Sequence, residues 1–551
     1  MSSCIFGKPR TPLEIRGRSL PDDAEAQGEL VVFGDDLGNA AFVSHQWLSK
    51  QHPDPDFKQM RILQNALKRI LNGSGSVSLD FITESVVQTA RPLPMQELQM
   101  KTLYFWYDYF SCPQLERQID KTTSLHQANA IASIPAYIAR CKFFFALCPV
   151  LDCPFEGKVL TAATWSRRGW CRLERAAREL SPSSTWILIQ SETSIETVGT
   201  VLSFPSGSVG EGDFGIAEDR QKLASVMRKI LMQKLNHCLR VGDLPGFRRH
   251  FNLQTVYLRG LDIEPLTGLL PRTEGGDDAV AEFLHQNGLR RVGVVDGAGW
   301  SPLHYAALAG NIEALDLAVF FKHHEATELL LAARAHLEGG FSPAVLAAAS
   351  SDSREGIRLL CAAGARPLAR NLLGVSPLQC AAGLASTSAL EELLVQGRPD
   401  SLDLSRALFD ATWFRGGSAE LVQRLIELGA DVDFQVNLAR DYTLLGRLLF
   451  VVKSLRYQIG RKTVLTTLAY HLQGSTPLMQ AIRSAQFEAA AALIAAGARL
   501  DLCNCRHWTA ADFARCQSIP RFLQLGLEGD PSECRRVFSL ALSDGYVEVP
   551  F

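Results

Sequence analysis

At 551 residues the chain exceeds one ordinary core, and about two to four domains are expected. Hydrophobic residues at 47% and charged residues at 21% exclude a disordered chain. The balance of 56 basic against 58 acidic side chains excludes the basic footprint of a nucleic-acid binder. The 13 cysteines are odd in number and irregularly spaced, which points to free thiols in a reducing compartment.

The opening residues MSSCIFGKPRTPLEIRGRSL are basic but lack the apolar run of a secretion signal. The most hydrophobic runs, Phe143 to Leu147 and Leu444 to Val452, are too short for a membrane span. The expectation is a cytoplasmic protein, with the nucleus left open. Residues 1–29 read as a loosely ordered arm.

From about Leu30 to Arg240, short apolar runs alternate with amphipathic segments, the signature of an α/β domain built on a parallel sheet. Ala40 to Trp47 begins as a central strand, and Phe57 to Leu71 follows as a helix with Met60, Leu63, Leu67 and Ile70 on one face. Leu103 to Phe110 is the second strand. Ala128 to Arg140 is a helix carrying Ile131, Ile134 and Ile138, with Pro135 kinking it or setting its start. Cys141 to Cys148 and Thr185 to Ile189 are the third and fourth strands. Between them, TWSRRGWCRLERAAREL (residues 164–180) forms a helix stopped by Ser181-Pro182. A Gly- and Ser-rich loop from Ser203 to Gly215 and a closing helix from Glu218 to Leu239 complete the domain.

If Trp170 to Leu180 is helical, steps of about 100° put Trp170, Leu173, Ala177 and Leu180 in one apolar stripe. Glu174 lies on its shoulder, partly shielded, and Arg172, Arg175 and Glu179 point to the opposite side. Position alone makes Glu174 an ordinary surface carboxylate with Arg178 one turn away, a pair worth about 0.3–0.5 kcal/mol when exposed. His45, Asp108 and Cys171 could alternatively form a cysteine-nucleophile arrangement, although no protease signature surrounds Cys171.

The ordered segments AAFVSH, YFWYDYFSCPQ, AIASIPAYIARCKFFFALCP and WSRRGWCRLE resemble the Toll/interleukin-receptor (TIR) domain family over about 170 residues. The match is strongest at Phe42-Val-Ser-His45 and Trp170-Cys-Arg-Leu-Glu174. It departs in a long spacer between the first two strands and in a loop that reads Tyr-Phe-Ser-Cys-Pro-Gln. The resemblance implies a flavodoxin-like parallel sheet. In family members that cleave NAD the glutamate of the W-C-x-x-E motif is catalytic, and Glu174 occupies that place. A fixed carboxylate would stabilise the oxocarbenium-like state formed when the nicotinamide-ribose bond breaks. Ser44, His45 and Trp47 would then line the ligand edge of the sheet, with Asp108 and Ser111 nearby and Arg168 or Arg172 meeting phosphates. NAD enters as a substrate; no cofactor and no metal are implied. The same resemblance leaves open a domain without chemistry that serves for self-association. In that case the arginines at 167, 168, 172, 175 and 178 are an interaction surface or a solvated face.

Residues 241–276 read as a linker. Beyond them Ser301-Pro-Leu-His-Tyr-Ala-Ala307 is close to the ankyrin signature T-P-L-H-x-A, and partial copies begin at Ser342, Ser376, Thr476 and Thr509. Ser342 to Ser376 spans 34 residues and Thr476 to Thr509 spans 33, the ankyrin period; Thr443 lies another 33 before Thr476. Second-helix ends such as Leu359 to Ala365, Leu425 to Ala430 and Leu493 to Ala498 carry a glycine that stops the helix. Thr or Ser before Pro caps and starts the first helix.

Residues 277–526 therefore resemble about six or seven ankyrin repeats, an all-α solenoid. The unit near Ser405 is degenerate, and loops or altered helices are expected at Phe320 to Glu328 and Ser454 to Lys462. His304 belongs to the repeat turn, and Cys503, Cys505 and His507 do not match a common zinc spacing. Ankyrin stacks imply a protein partner on the concave surface. Residues 527–551 form a tail without an assigned role.

Overall fold

The computed structural model describes residues 5–7, 30–34, 36–49, 52–111, 132–153, 157–200, 203, 207–266, 268–270, 279–291, 295–308, 319–332, 337 and 342–542. Most of the N-terminal arm, the Cys112-Pro-Gln114 loop and the start of the helix expected at Ala128 lie outside them.

The N-terminal strands are β1 (Ile5–Gly7), β2 (Leu30–Val32), β3 (Asn39–Ser44), β4 (Ser76–Leu79), β5 (Leu93–Pro94), β6 (Leu103–Trp106), β7 (Phe143–Leu147), β8 (Leu151–Cys153), β9 (Lys158–Leu160), β10 (Trp186–Ile189) and β11 (Ile195–Val198). Nine of them form one sheet in the order β2-β1-β6-β3-β7-β10-β11-β4-β5, and β8 and β9 form a separate hairpin. The four strands expected from sequence are its centre, β6-β3-β7-β10, and all their pairings are parallel. Their runs are apolar apart from Asn39 and Ser44 at the two ends of β3, because both faces are covered. Ala41, Val43, Phe105, Phe145 and Ile187 meet the Lys58–Asn72 helix on one side. Phe42, Trp106, Phe144 and Leu188 meet the helices at 132–140, Gly169–Glu179 and Ala217–Arg240 on the other. Ile5–Gly7, within the expected arm, pairs with β2 and β6.

The stretch from 164 to 180 is not one helix. It lies in two, Ala162–Arg167 and Gly169–Glu179, broken at Arg168 with φ −65° and ψ 129°. The break is held by Gly169 N donating to Asp213 O at 2.8 Å and Asp213 N donating to Arg167 O at 2.8 Å.

The arginines of the second helix are not solvated either: Arg172, Arg175 and Arg178 are all buried. Arg178 donates to the carbonyls of Thr185, Cys141 and Lys142, each at 2.8 Å, so it ties together the strand entrances rather than pairing with Glu174. Helical periodicity separates apolar from polar faces but does not show that neighbouring backbone covers the polar one.

Residues 244–257, expected within a linker, form the helices Leu244–Asn252 and Gln254–Tyr257. Phe247 and Phe251, one turn apart, stack at 5.7 Å and join the α/β core.

In the C-terminal half, paired helices stack as the repeats predict. The first helices Ala344–Ser350, Pro377–Gly383, Ser401–Trp413, Pro477–Arg483 and Ala510–Arg515 contact one another in that order. Ser376 and Thr476 each cap the helix that follows, with Pro in its first turn. The degenerate unit near Ser405 is a full helix.

Thr443 does not open a repeat. It caps the Leu444–Gln458 helix, which packs on Val464–His471 as a hairpin inserted between Ala419–Glu427 and Pro477–Arg483. The stack closes past it, because Ser401–Trp413 meets Pro477–Arg483 directly. Within the stretch expected to be irregular from Ser454, the helix continues to Gln458. Beyond the repeats, the Ser532–Leu542 helix buries Cys534 and Val537 against the Phe487–Ala495 helix.

Candidate functional site

β3 ends at the carboxyl edge of the sheet, between β6 and β7, where an open α/β sheet places its ligand crevice. Its last residue, Ser44, donates to Glu174 Oε2 at 2.5 Å and accepts from Trp165 Nε1 at 2.9 Å. The hydroxyl proton is thereby committed to Glu174. Glu174 is only 7% exposed. Burial, the largest cause, lifts its pKa to about 7; the Ser44 hydrogen bond opposes the rise and the negative charge of Asp108 adds to it.

His45, the next residue, places Nε2 2.7 Å from Asp108 Oδ1, and Trp47 Nε1 donates to Asp108 Oδ2 at 2.8 Å. The imidazole stacks on Tyr107 with ring centroids 4.2 Å apart. Burial favours the neutral ring, but the Asp108 and Glu174 charges outweigh it and hold the His45 pKa above its ordinary value. Burial likewise works against ionisation of Asp108, but His45, Trp47 and the Tyr109 amide keep its carboxyl below the usual range.

The structure thus brings Ser44, His45, Trp47, Asp108 and Glu174 together in a polar network of two hydrogen-bonded groups, Ser44 with Glu174 and Asp108 with His45 and Trp47, coupled by charge. Arg168 is buried, and its charge reaches Glu174. Ser111 and Arg172 are placed elsewhere. Ser111 Oγ accepts from Tyr107 N at 3.2 Å, closing its own turn. Arg172 donates to Ser166 O at 2.8 Å and Ser208 O at 2.9 Å, and burial lowers its pKa to about 10.

The Cys171 thiol faces the His45 backbone carbonyl, Sγ to O 3.8 Å, while the imidazole Nε2 bonds Asp108. That geometry does not make a thiol–imidazole pair. Trp165 and Tyr107 belong to the network without having been singled out in the sequence. The signal available was an indole and a phenol at the ends of otherwise apolar segments, where a buried polar tip needs a partner.

Three cavities lie where the α/β domain meets the repeats. The first, of about 430 Å³, lies between Ser166, Arg167 and Arg172 on one side and Ser386, Arg415 and Glu488 on the other. The second, of about 350 Å³, lies between Phe81 and Glu196 and the aromatic rings of Trp413, Tyr457 and Trp508. The third, of about 210 Å³, sits under Arg175, Tyr257 and Phe321. Glu174 lines none of these three.

The domains are fastened across the same seam. Arg415 meets Glu196 at 3.2 Å, Arg536 meets Asp152 at 2.8 Å, and Thr463 Oγ1 donates to Glu84 Oε1 at 2.7 Å. Part of the Ser401–Trp413 helix is covered by the chain's own elements. Phe409 packs with Leu468 and Leu472 of the inserted hairpin, and Phe81 stands edge-on to Trp413 at 4.6 Å.

Among the described residues no group of three or more His, Cys, Asp or Glu side chains could hold a metal ion, and no helix is long and apolar enough to cross a membrane.

The family model for ankyrin repeats in many copies matches residues 274–319. Among solved structures, the crystal structure of the human ASB11 ankyrin repeat domain is similar at 21% identity, with a TM-score of 0.28. The match covers 43% of this chain and 86% of that one. Comparison with curated proteins finds no match. The chain carries ankyrin repeats behind an α/β domain whose sheet is mostly parallel.

Proposed function

We propose that this protein is an interaction scaffold in which a TIR-like α/β domain acts as a docked brace for an ankyrin array. The order β6-β3-β7-β10, numbered along the chain as 2-1-3-4, supports the flavodoxin-like and TIR-like reading. The ankyrin match supports a protein partner. The observation that carries the scaffold reading is the docking of the α/β domain along the repeats, through Arg415 to Glu196, Arg536 to Asp152 and Thr463 to Glu84. Glu174 itself is 7% exposed, and one of its oxygens is occupied by Ser44.

A second reading, hydrolysis of NAD at the nicotinamide-ribose bond, draws on one specific observation. A carboxyl with a pKa near 7 stands beside an ion-paired imidazole at the sheet edge where ligands bind. The two are separated by incubating the full chain, at high concentration, with NAD and following nicotinamide release beside Glu174→Gln. Release by the native chain that the variant lacks would replace the scaffold with the enzyme. No release from either chain supports the scaffold.

A further inference from the structure

The inserted Leu444–Gln458 helix turns its apolar face outward. Leu444, Leu445, Leu448, Val451, Val452, Leu455 and the adjoining Ile459 are each more than one-third exposed, with Leu444 at 75% and Ile459 at 76%. At about 100° per residue they occupy a single stripe. The opposite side, with Gly446, Phe450 and Tyr457, faces the protein, where Tyr442 meets Phe450 edge-on at 4.9 Å and Tyr457 stacks on Tyr470 at 4.3 Å. An exposed apolar patch on the order of 500 Å² is as large as the largest on an ordinary monomer, and such patches mark interaction sites.

The spacing specifies the shape of the occupant. Leu445, Leu448, Val452, Leu455 and Ile459 follow one another at intervals of three, four, three and four residues. That is a coiled-coil seam, with Leu at both d positions and β-branched residues at two of the three a positions.

Charge specifies its chemistry. From Tyr442 to Phe487 the chain contains no Asp or Glu, whereas Arg447, Lys453, Arg456, Arg461 and Lys462 are basic. Lys453 turns inward toward Glu84 at 4.0 Å. Arg447 and Arg456 flank the stripe on its two sides; Arg456 is exposed, and Arg447 Nε is buried without a hydrogen-bond partner. A second copy of this helix would bring the same positive charge to this face with no acidic side chain to meet it. The exposed stripe also lacks the Trp, Tyr or Phe that anchors helices in a lipid interface.

We infer that this face docks an amphipathic helix of a partner protein whose apolar seam is bordered by acidic residues. The inference rests on the scaffold reading and gives it a surface on the inserted helix.

The test uses the full chain and a fluorescent three-heptad peptide with Leu and Val at its a and d positions and Glu at its e and g positions, followed by anisotropy. The native chain binds it. Leu448→Glu with Leu455→Glu weakens binding at least about tenfold, as loss of central apolar anchors does. Arg447→Glu with Arg456→Glu also weakens it, and a peptide with Lys in place of Glu recovers binding to that variant alone. Unchanged melting temperatures and circular dichroism show that the variants fold.

The inference is overturned if neither peptide binds, or if both bind the native chain equally. It is also overturned if the native chain sediments as a dimer that the leucine variant dissociates, or if it binds phosphatidylserine vesicles through the same leucines. NAD cleavage, in contrast, would overturn the scaffold reading and leave the peptide result standing.

Discussion

Ser44 Oγ stands 2.5 Å from Glu174 Oε2, and Trp165 Nε1 fixes which way that hydroxyl points. The carboxyl is thereby positioned from two elements 130 residues apart, the end of β3 and the Gly169–Glu179 helix. Its pKa near 7 gives it a signature in stability. The folded protein keeps a proton that the unfolded chain releases near 4.5, so its contribution is complete below about 4.5 and is lost as pH rises through about 7. The raised His45 acts in the same direction, and the lowered Asp108 in the opposite one, its contribution being lost as pH falls below the carboxylate range. Melting temperature measured from pH 5 to 8 should fall with rising pH, and Glu174→Gln should flatten that slope. An unchanged slope would mean that Glu174 ionises freely.

Arg178→Ala should be among the most destabilising substitutions in the α/β domain. It strips the partner from the carbonyls of Cys141, Lys142 and Thr185 at once. Leaving buried acceptors unpaired costs about 3 kcal/mol or more. Urea unfolding measures it; a loss below about 1 kcal/mol would show that water replaces the guanidinium.

Arg415→Ala should loosen the seam between the domains without unfolding either one. Removing one partner of a largely buried ion pair leaves Glu196 uncompensated, at a cost of about 2 kcal/mol. Hydrogen exchange should rise in β11 and in the Trp413–Ser418 turn and stay constant at the centre of the sheet. A uniform rise would instead indicate global destabilisation.

Gly416→Ala tests the same turn through shape alone. A Cβ at this position would run into the Ala382 carbonyl oxygen, which is backbone and cannot swing aside. The expected loss is about 2 kcal/mol, with a matching fall in protection of the Pro377–Gly383 helix. Native stability for this variant would mean that the turn moves freely.

What the sequence made legible follows from what leaves a local pattern. Ser376-Pro and Thr476-Pro announced helix starts because capping acts within three residues, and both hydroxyls make those bonds. The four central strands were visible because burial on both faces makes their interiors continuously apolar. Ser44, His45, Asp108 and Glu174 lie near one another because the ends of β3 and β6 and the Gly169–Glu179 helix meet at one sheet edge. Arg178 was misjudged because its three carbonyl partners are 7 to 37 residues away and leave no periodic trace. β4 and β11, SVSL and IETV, mix polar with apolar residues and lack the continuous apolar run that marks β6 and β10. Thr443 misled for a subtler reason: it is a genuine helix cap, and its 33-residue interval coincides with the repeat without the helix joining the stack.

The base of that inserted hairpin is narrow. Val436 N donates to Ser475 O at 3.1 Å, and Gly474 N donates to Val436 O at 2.8 Å, so the chain leaves and re-enters the array at nearly one point. The hairpin is therefore a cassette on a pinched stem. Excising residues 438–472 and joining the stem with a short glycine bridge would short-circuit the loop, leaving helix-on-helix contact between units intact while taking the basic, apolar-faced helix away.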